Sequence, residues 1–125
     1  FQLVISYNPG YQSLMKDLKQ STKQRFGGLD FDYPEEKTEV QIVAKESGVD
    51  EATAHKLVQI AHRARNLKGH GLDEGISTRL LVYAGQLIAK GVAAEAACSM
   101  TMVTPLTDDP DMRDTLNAAV QTFFG

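Results

Sequence analysis

Three polar side chains on an otherwise apolar scaffold have the chemistry of phosphoryl transfer: Asn8 after a strand-like run, Arg25 on a short helical stretch, and Arg79 at the start of a longer one. Hydrolysis of a nucleoside triphosphate needs a group that orients the attacking water and cations that neutralise charge on the transferring phosphoryl. One Asn and two Arg can supply both. The rest of that apparatus is not written in these residues. No G-x-x-x-x-G-K-[ST] phosphate loop occurs, and no strand-like run ends in the acidic pair that would hold Mg²⁺. The residues read as the back half of an ATPase, and the chain by itself is expected neither to bind ATP tightly nor to hydrolyse it.

The elements that would position these groups follow from periodicity and punctuation. Residues 1–7 form a near-continuous apolar run with no initiator Met and no flanking turn, so the chain is expected to begin inside a fold. Such runs suit strands buried on both faces. Residues 28–33 are the other strand candidate, and two strands cannot complete a parallel sheet; their partners are expected outside these residues or in another copy. Pro9-Gly10 closes the first run, residues 14–18 make a short helical segment, and Ser21 caps a second over 22–26 that Gly27-Gly28 ends. Pro34, as first helical residue, with Glu35 and Glu36 opens a helix to Ser47, stopped by Gly48. Asp50 caps a helix to about Leu67 whose apolar face is Leu57, Ile60, Ala61, Ala64 and Leu67. After the break at 68–71, Ser77 caps a helix with Leu80, Leu81, Ala84, Leu87 and Ile88 as its stripe, ending at Gly91. Residues 93 to about 104 make another, and Asp109-Pro110 starts the last, with Met112, Leu116, Ala119 and Phe123 inward. The expected fold class is mostly α: a small helical bundle over 34–125, preceded over 1–33 by a two-strand remnant of an α/β core.

Composition narrows the function classes. The chain has 125 residues, 42% hydrophobic and 23% charged, enough for one modest core. A formal net charge of −3 and a pI near 5.5 argue against nucleic acid as a partner, because phosphate neutralisation needs a basic surface. No apolar run approaches the ~20 residues of a membrane helix and no signal peptide is seen, so membrane insertion is not expected and the location expected is cytoplasmic. The lone Cys98, in an Ala-rich helical stretch, reads as a small buried thiol.

At this point the runs SYNPGYQ, STKQRFGGLDFDYP, RNLKGHGLDEGISTRLLVYA and PLTDDPD carry a resemblance. In this order and spacing they resemble the C-terminal half of the CbbQ/NirQ/NorQ family, a MoxR-type branch of the AAA+ ATPases, across essentially the whole chain. The resemblance implies that 34–125 is a AAA+ lid and 1–33 the end of the AAA+ core. It implies that Asn8 is the sensor 1 residue, that Arg25 is the arginine finger acting on a neighbouring subunit, and that Arg79 is sensor 2, reaching the phosphates of its own subunit. It further implies ATP and Mg²⁺ as cofactors of the longer protein, a ring of copies expected to be a hexamer, an adaptor bearing a von Willebrand factor A domain, and a client metalloenzyme. Activation of Rubisco is the favoured client reading, with nitric oxide reductase activation beside it.

Each residue also has a plain structural reading. Asn8 before Pro9 suits a turn, Arg25 a surface position, and Lys23 is the weaker finger candidate on another face. Arg79 is less easily explained away, since a cation near a helix N-terminus opposes the macrodipole unless an anion is close. His55 and His62, seven residues apart at a rise of ~1.5 Å, lie too far apart for one metal and are expected to face solvent. His70 reads as a turn residue, Asp108, Asp109 and Asp111 as a helix start, and Arg63, Arg65 and Lys68 as complements to a helix C-terminus. No metal site is expected. The competing function class is a non-enzymatic helical interaction module, for which Asn8, Arg25 and an apolar core strand would have no use.

Overall fold

The computed structural model describes residues 1–6 and 24–125, whose contacts divide into two compact units, Phe1–Asp32 and Tyr33–Gly125. In the first unit residues 24–26 form a turn and the other described residues have no regular structure. Among the described residues neither strand candidate forms a strand: Phe1, Val4, Leu29 and Phe31 stand exposed. A strand needs a ladder partner and a covered face, and the exposed apolar side chains of these runs show no such face. The short helix expected over 14–18, the capping Ser21 and the turn at Pro9 fall outside the described residues.

The second unit is the expected helical bundle. Its first helix, α1 (Glu36–Ser47), buries Glu39, Val40, Val43 and Ser47, an i, i+1, i+4, i+8 stripe, and stops where Gly48 turns left-handed at φ 86° and donates its N–H to Ala44 O. Helix α1 begins two residues later than Pro34 predicts, with Glu35 as N-cap. A proline φ suits an extended approach as well as a first turn. Asp50 caps α2 (Glu51–Asn66) by accepting from the Thr53 N–H at 2.8 Å. Leu57, Val58, Ile60, Ala61 and Ala64 on α2 are at most 1% exposed. Burial at about 1.5–3 kcal/mol for each large side chain makes this helix the centre of the core.

The loop after α2 is pinned rather than loose. Gly69 and Gly71 take positive φ, and Leu72 and Ile76 drop into the core at 2% and 1% exposure. Helix α3 (Thr78–Ala89) follows, with Ser77 at its N-cap position but making no side-chain capping hydrogen bond. Leu81 and Ala84 of the expected stripe are buried, with Leu80 and Ile88 packed partly against the core. The helix expected over 93–104 divides into α4 (Ala94–Cys98) and a π-helical turn (Ser99–Val103), in which the Thr104 N–H reaches back five residues to Ser99 O at 2.9 Å. Asp109 and Pro110 start α5 (Pro110–Phe124), which buries Leu116 and Val120.

Helices α2 and α3 touch each other and α1; α2 also meets α5, and α3 meets α4 and the π turn. Where α3 crosses the end of α1 the backbones approach closely at Gly85. A Cβ there would stand 2.6 Å from Ser47 Cβ and collide with its hydroxyl. Lys56 and Arg63 of α2 cover the rings of Phe124 and Phe123 on α5 at 5.4 and 4.8 Å, so their stems seal that seam while their charges stay wet.

Candidate functional site

Arg79 is the second residue of α3, exposed, in a first turn that holds no acidic residue. Among the described residues it has no hydrogen-bond or ion-pair partner. Helix α3 thus begins with an uncapped N-terminus, whose N–H groups carry partial positive charge, and adds a full cation to it. That donor set fits an oxygen-rich anion such as a phosphate.

Directly behind Arg79 lies a buried polar cluster that the sequence reading did not single out. Glu39 on α1 is 0% exposed. Arg65, near the end of α2, donates from Nη1 to Glu39 Oε1 at 2.8 Å and from Nη2 to Oε2 at 2.7 Å, a bidentate charge-assisted pair. Thr78, the first residue of α3, donates its hydroxyl to Glu39 Oε2 at 2.6 Å. Arg65 Nε donates to Ile76 O at 2.9 Å, and its guanidinium lies 3.7 Å from the centre of the Tyr33 ring. Each of the three guanidinium nitrogens donates a hydrogen bond, and none of the buried side-chain polar atoms among the described residues lacks a partner. Burial alone pushes the Glu39 carboxyl up, but hydrogen bonds from Arg65 and Thr78 and the nearby charges of Arg65 and His62 outweigh it, leaving the carboxyl below its ordinary value of 4.5.

Arg65 therefore does not serve the helix C-terminus as its position predicts; it reaches across the bundle. A signal for this existed in the sequence: Glu39 lies one turn before Val43, at the leading end of the face that Val40 and Val43 bury, and a buried carboxylate demands a cation.

The other predicted positions are divided between the two units and the undescribed residues. Arg25 is exposed in the turn of the first unit, Arg79 belongs to the second, and Asn8 and Lys23 lie outside the described residues. His55 is exposed as expected, with Nε2 3.4 Å from Glu36 Oε1, whereas His62 is half-buried, its Nε2 4.0 Å from Glu39 Oε1. His70 is exposed in the turn after α2. Asp109 caps α5 by accepting from the Asp111 N–H, and Asp108 accepts from Arg113 Nη2 at 3.2 Å. Among the described residues no group of three His, Cys, Asp or Glu could hold a metal ion. No helix among them is long and apolar enough to cross a membrane.

A bundle of short helices that offers an arginine at an uncapped helix start is a small helical domain of the lid type. The chain belongs to the CbbQ/NirQ/NorQ family, whose C-terminal region matches residues 39–123. It is 69% identical over 124 residues to protein CbbQ of Hydrogenophilus thermoluteolus, covering 99% of this chain and 46% of that protein. Against protein NorQ of Paracoccus denitrificans it is 48% identical over 125 residues, all of this chain and 46% of the relative. Against the denitrification regulatory protein NirQ of Pseudomonas aeruginosa it is 50% identical over 110 residues, 88% of this chain and 42% of the relative. The chain thus spans less than half the length of these curated relatives.

Proposed function

We propose that this chain is the lid-bearing C-terminal part of an AAA+ ATPase that uses ATP hydrolysis to activate a metabolic enzyme complex, with Rubisco as the favoured client and nitric oxide reductase as the second. The observation that carries the reading is the exposed Arg79 on the uncapped start of α3, within a helical domain whose family is shown. In the longer protein this cation contacts the nucleotide phosphates of its own subunit, as sensor 2, while Asn8 orients the attacking water and Arg25 acts across a subunit boundary in a ring. ATP would supply the phosphoryl group, and Mg²⁺ bound with it would screen its charge. A cytoplasmic ring, expected as a hexamer, would deliver force, and an adaptor with a von Willebrand factor A domain would recognise the metalloenzyme client. Greater identity to a protein named CbbQ than to those named NorQ or NirQ supports the Rubisco arm.

The deciding experiment combines the purified full-length protein, its adaptor and ATP with Rubisco blocked by a tight-binding sugar phosphate. Recovery of carboxylation that is lost in Arg79→Ala is expected. No recovery, alongside restored activity of an immature nitric oxide reductase, would reverse the choice of client. An unaltered rate of ATP turnover in Arg79→Ala would remove the sensor assignment itself.

A further inference from the structure

Two features place Arg65 in an unusual position for a helix residue. Its contacts bracket the first turn of α3: Nε holds the carbonyl of Ile76, and through Glu39 it holds the hydroxyl of Thr78, the residue immediately before Arg79. Its remaining face covers Tyr33, the residue at which the second unit begins. Gly75 completes the arrangement, since a Cβ there would stand 2.6 Å from Tyr33 Oη and 3.0 Å from Arg65 Cγ. A side chain at that position would have to displace the Tyr33 hydroxyl or crowd the Arg65 stem.

We infer that Arg65 is a positioning residue for Arg79: with Glu39 and Thr78 it fixes the first turn of α3 and registers it against the point where the chain enters the bundle. This rests on the reading of Arg79 as a phosphate contact. Without Arg65, Ile76 O loses its donor and Glu39, which holds Thr78, loses the pair that orients it, so the cation at the start of α3 samples positions away from the phosphate. Displacement of a charge-stabilising group by a fraction of an ångström to an ångström is enough to cost turnover. No other side chain can substitute, because the job uses the guanidinium fork, its Nε and its flat face together.

The test is a double-mutant cycle on ATP turnover in the full-length protein, with variants Arg65→Lys, Arg79→Ala and both. Lysine keeps the charge but cannot make the bidentate pair and the bond to Ile76 O together. Arg65→Lys is expected to lower kcat by about two- to thirtyfold, the span of coupling found along such networks, while the double variant matches Arg79→Ala alone. If the two losses multiply, Arg65 acts only on stability and the inference is overturned; it is equally overturned if Arg65→Lys turns over at the wild-type rate. If Arg79→Ala alone has no effect, the phosphate-contact reading has failed, which is a separate and recognisable result that takes the inference down with it. Should Arg65→Lys not fold, Thr78→Val enters the same cycle, with the same two outcomes deciding.

Discussion

Replacing Arg65 by Met isolates the energetics of the buried cluster. The methionine fills part of the same space, but the substitution strips two charge-assisted hydrogen bonds from Glu39 and one from Ile76 O. What remains is a carboxylate at 0% exposure with the Thr78 hydroxyl as its retained donor and His62 Nε2 4.0 Å away. Breaking a buried pair from one side costs about 3–5 kcal/mol, because the surviving charge is left uncompensated. Domains of this size are held by about 5–15 kcal/mol, so the variant should be folded but fragile. At roughly 4 °C or more per kcal/mol, its melting temperature should fall by at least about 12 °C. Removing the other charge as well, in Glu39→Leu with Arg65→Met, should recover most of the loss. Urea unfolding followed by far-ultraviolet circular dichroism reads both, with an unchanged m-value as the sign that the unfolded states are comparable. Acid adds an independent arm. In the wild type the folded pKa of Glu39 is depressed, so its stabilising contribution is present above the ordinary 4.5 and is lost as pH falls through the folded pKa. In Arg65→Met the hydrogen bonds and charge of Arg65 no longer oppose burial, so the carboxyl should rise relative to the wild type and the deficit should shrink as pH falls toward the carboxylate range. A single-variant loss under about 1 kcal/mol, the range of a solvated pair, or a double variant no better than the single, would refute the reasoning.

Two further outcomes test the packing. Gly85→Ala should cost about 1–3 kcal/mol, the usual penalty of overpacking, because the added methyl meets Ser47 where α3 crosses α1; pairing it with Ser47→Gly should restore part of the loss in the same urea titration. Cys98, fully buried, has its thiol pushed up to about 12 by burial, so its reaction with a disulfide reagent at pH 8 should follow unfolding of the bundle and accelerate with added urea; rapid labelling of the native chain would contradict its placement.

The helical half of the fold was legible because its punctuation is local. Asp50 before Glu51, Gly48 after Ser47 and Asp109 before Pro110 each act within a turn of their own position, and all three operate as their types dictate. Pro34 misplaced a boundary because its fixed φ is shared by two conformations. The π turn escaped because Ala94 to Val103 reads as uniformly helical, and only the pairing of Thr104 with Ser99 shows the wider turn. The strand candidates depended on partners that no local signal supplies. The same limit hid the cluster behind Arg79: the apolar stripe of α1 marks Glu39 as a carboxylate in need of a cation, yet Arg63, Arg65 and Lys68 were equally available by charge. Only the crossing of α1 and α2 selects Arg65, and a crossing is a tertiary fact.

The buried tie also bears on the order of events when the chain folds. It joins residues 26 and 39 positions apart, Glu39 to Arg65 and Glu39 to Thr78, whereas the shorter link from Arg65 to Ile76 spans 11. Closing the longest of these loops costs about 1 kcal/mol more chain entropy than the shortest, at ~0.6 kcal/mol per doubling, and no part of the bidentate pair is rewarded until both helices are formed and docked. The helices can assemble on apolar contacts first, with the ionic tie closing after the barrier has been crossed. A contact made that late should leave the folding rate nearly untouched and act on escape instead: Glu39 and Arg65 would then be a latch that sets how long the bundle stays shut, and Arg65→Met should speed unfolding far more than it slows folding in stopped-flow urea jumps.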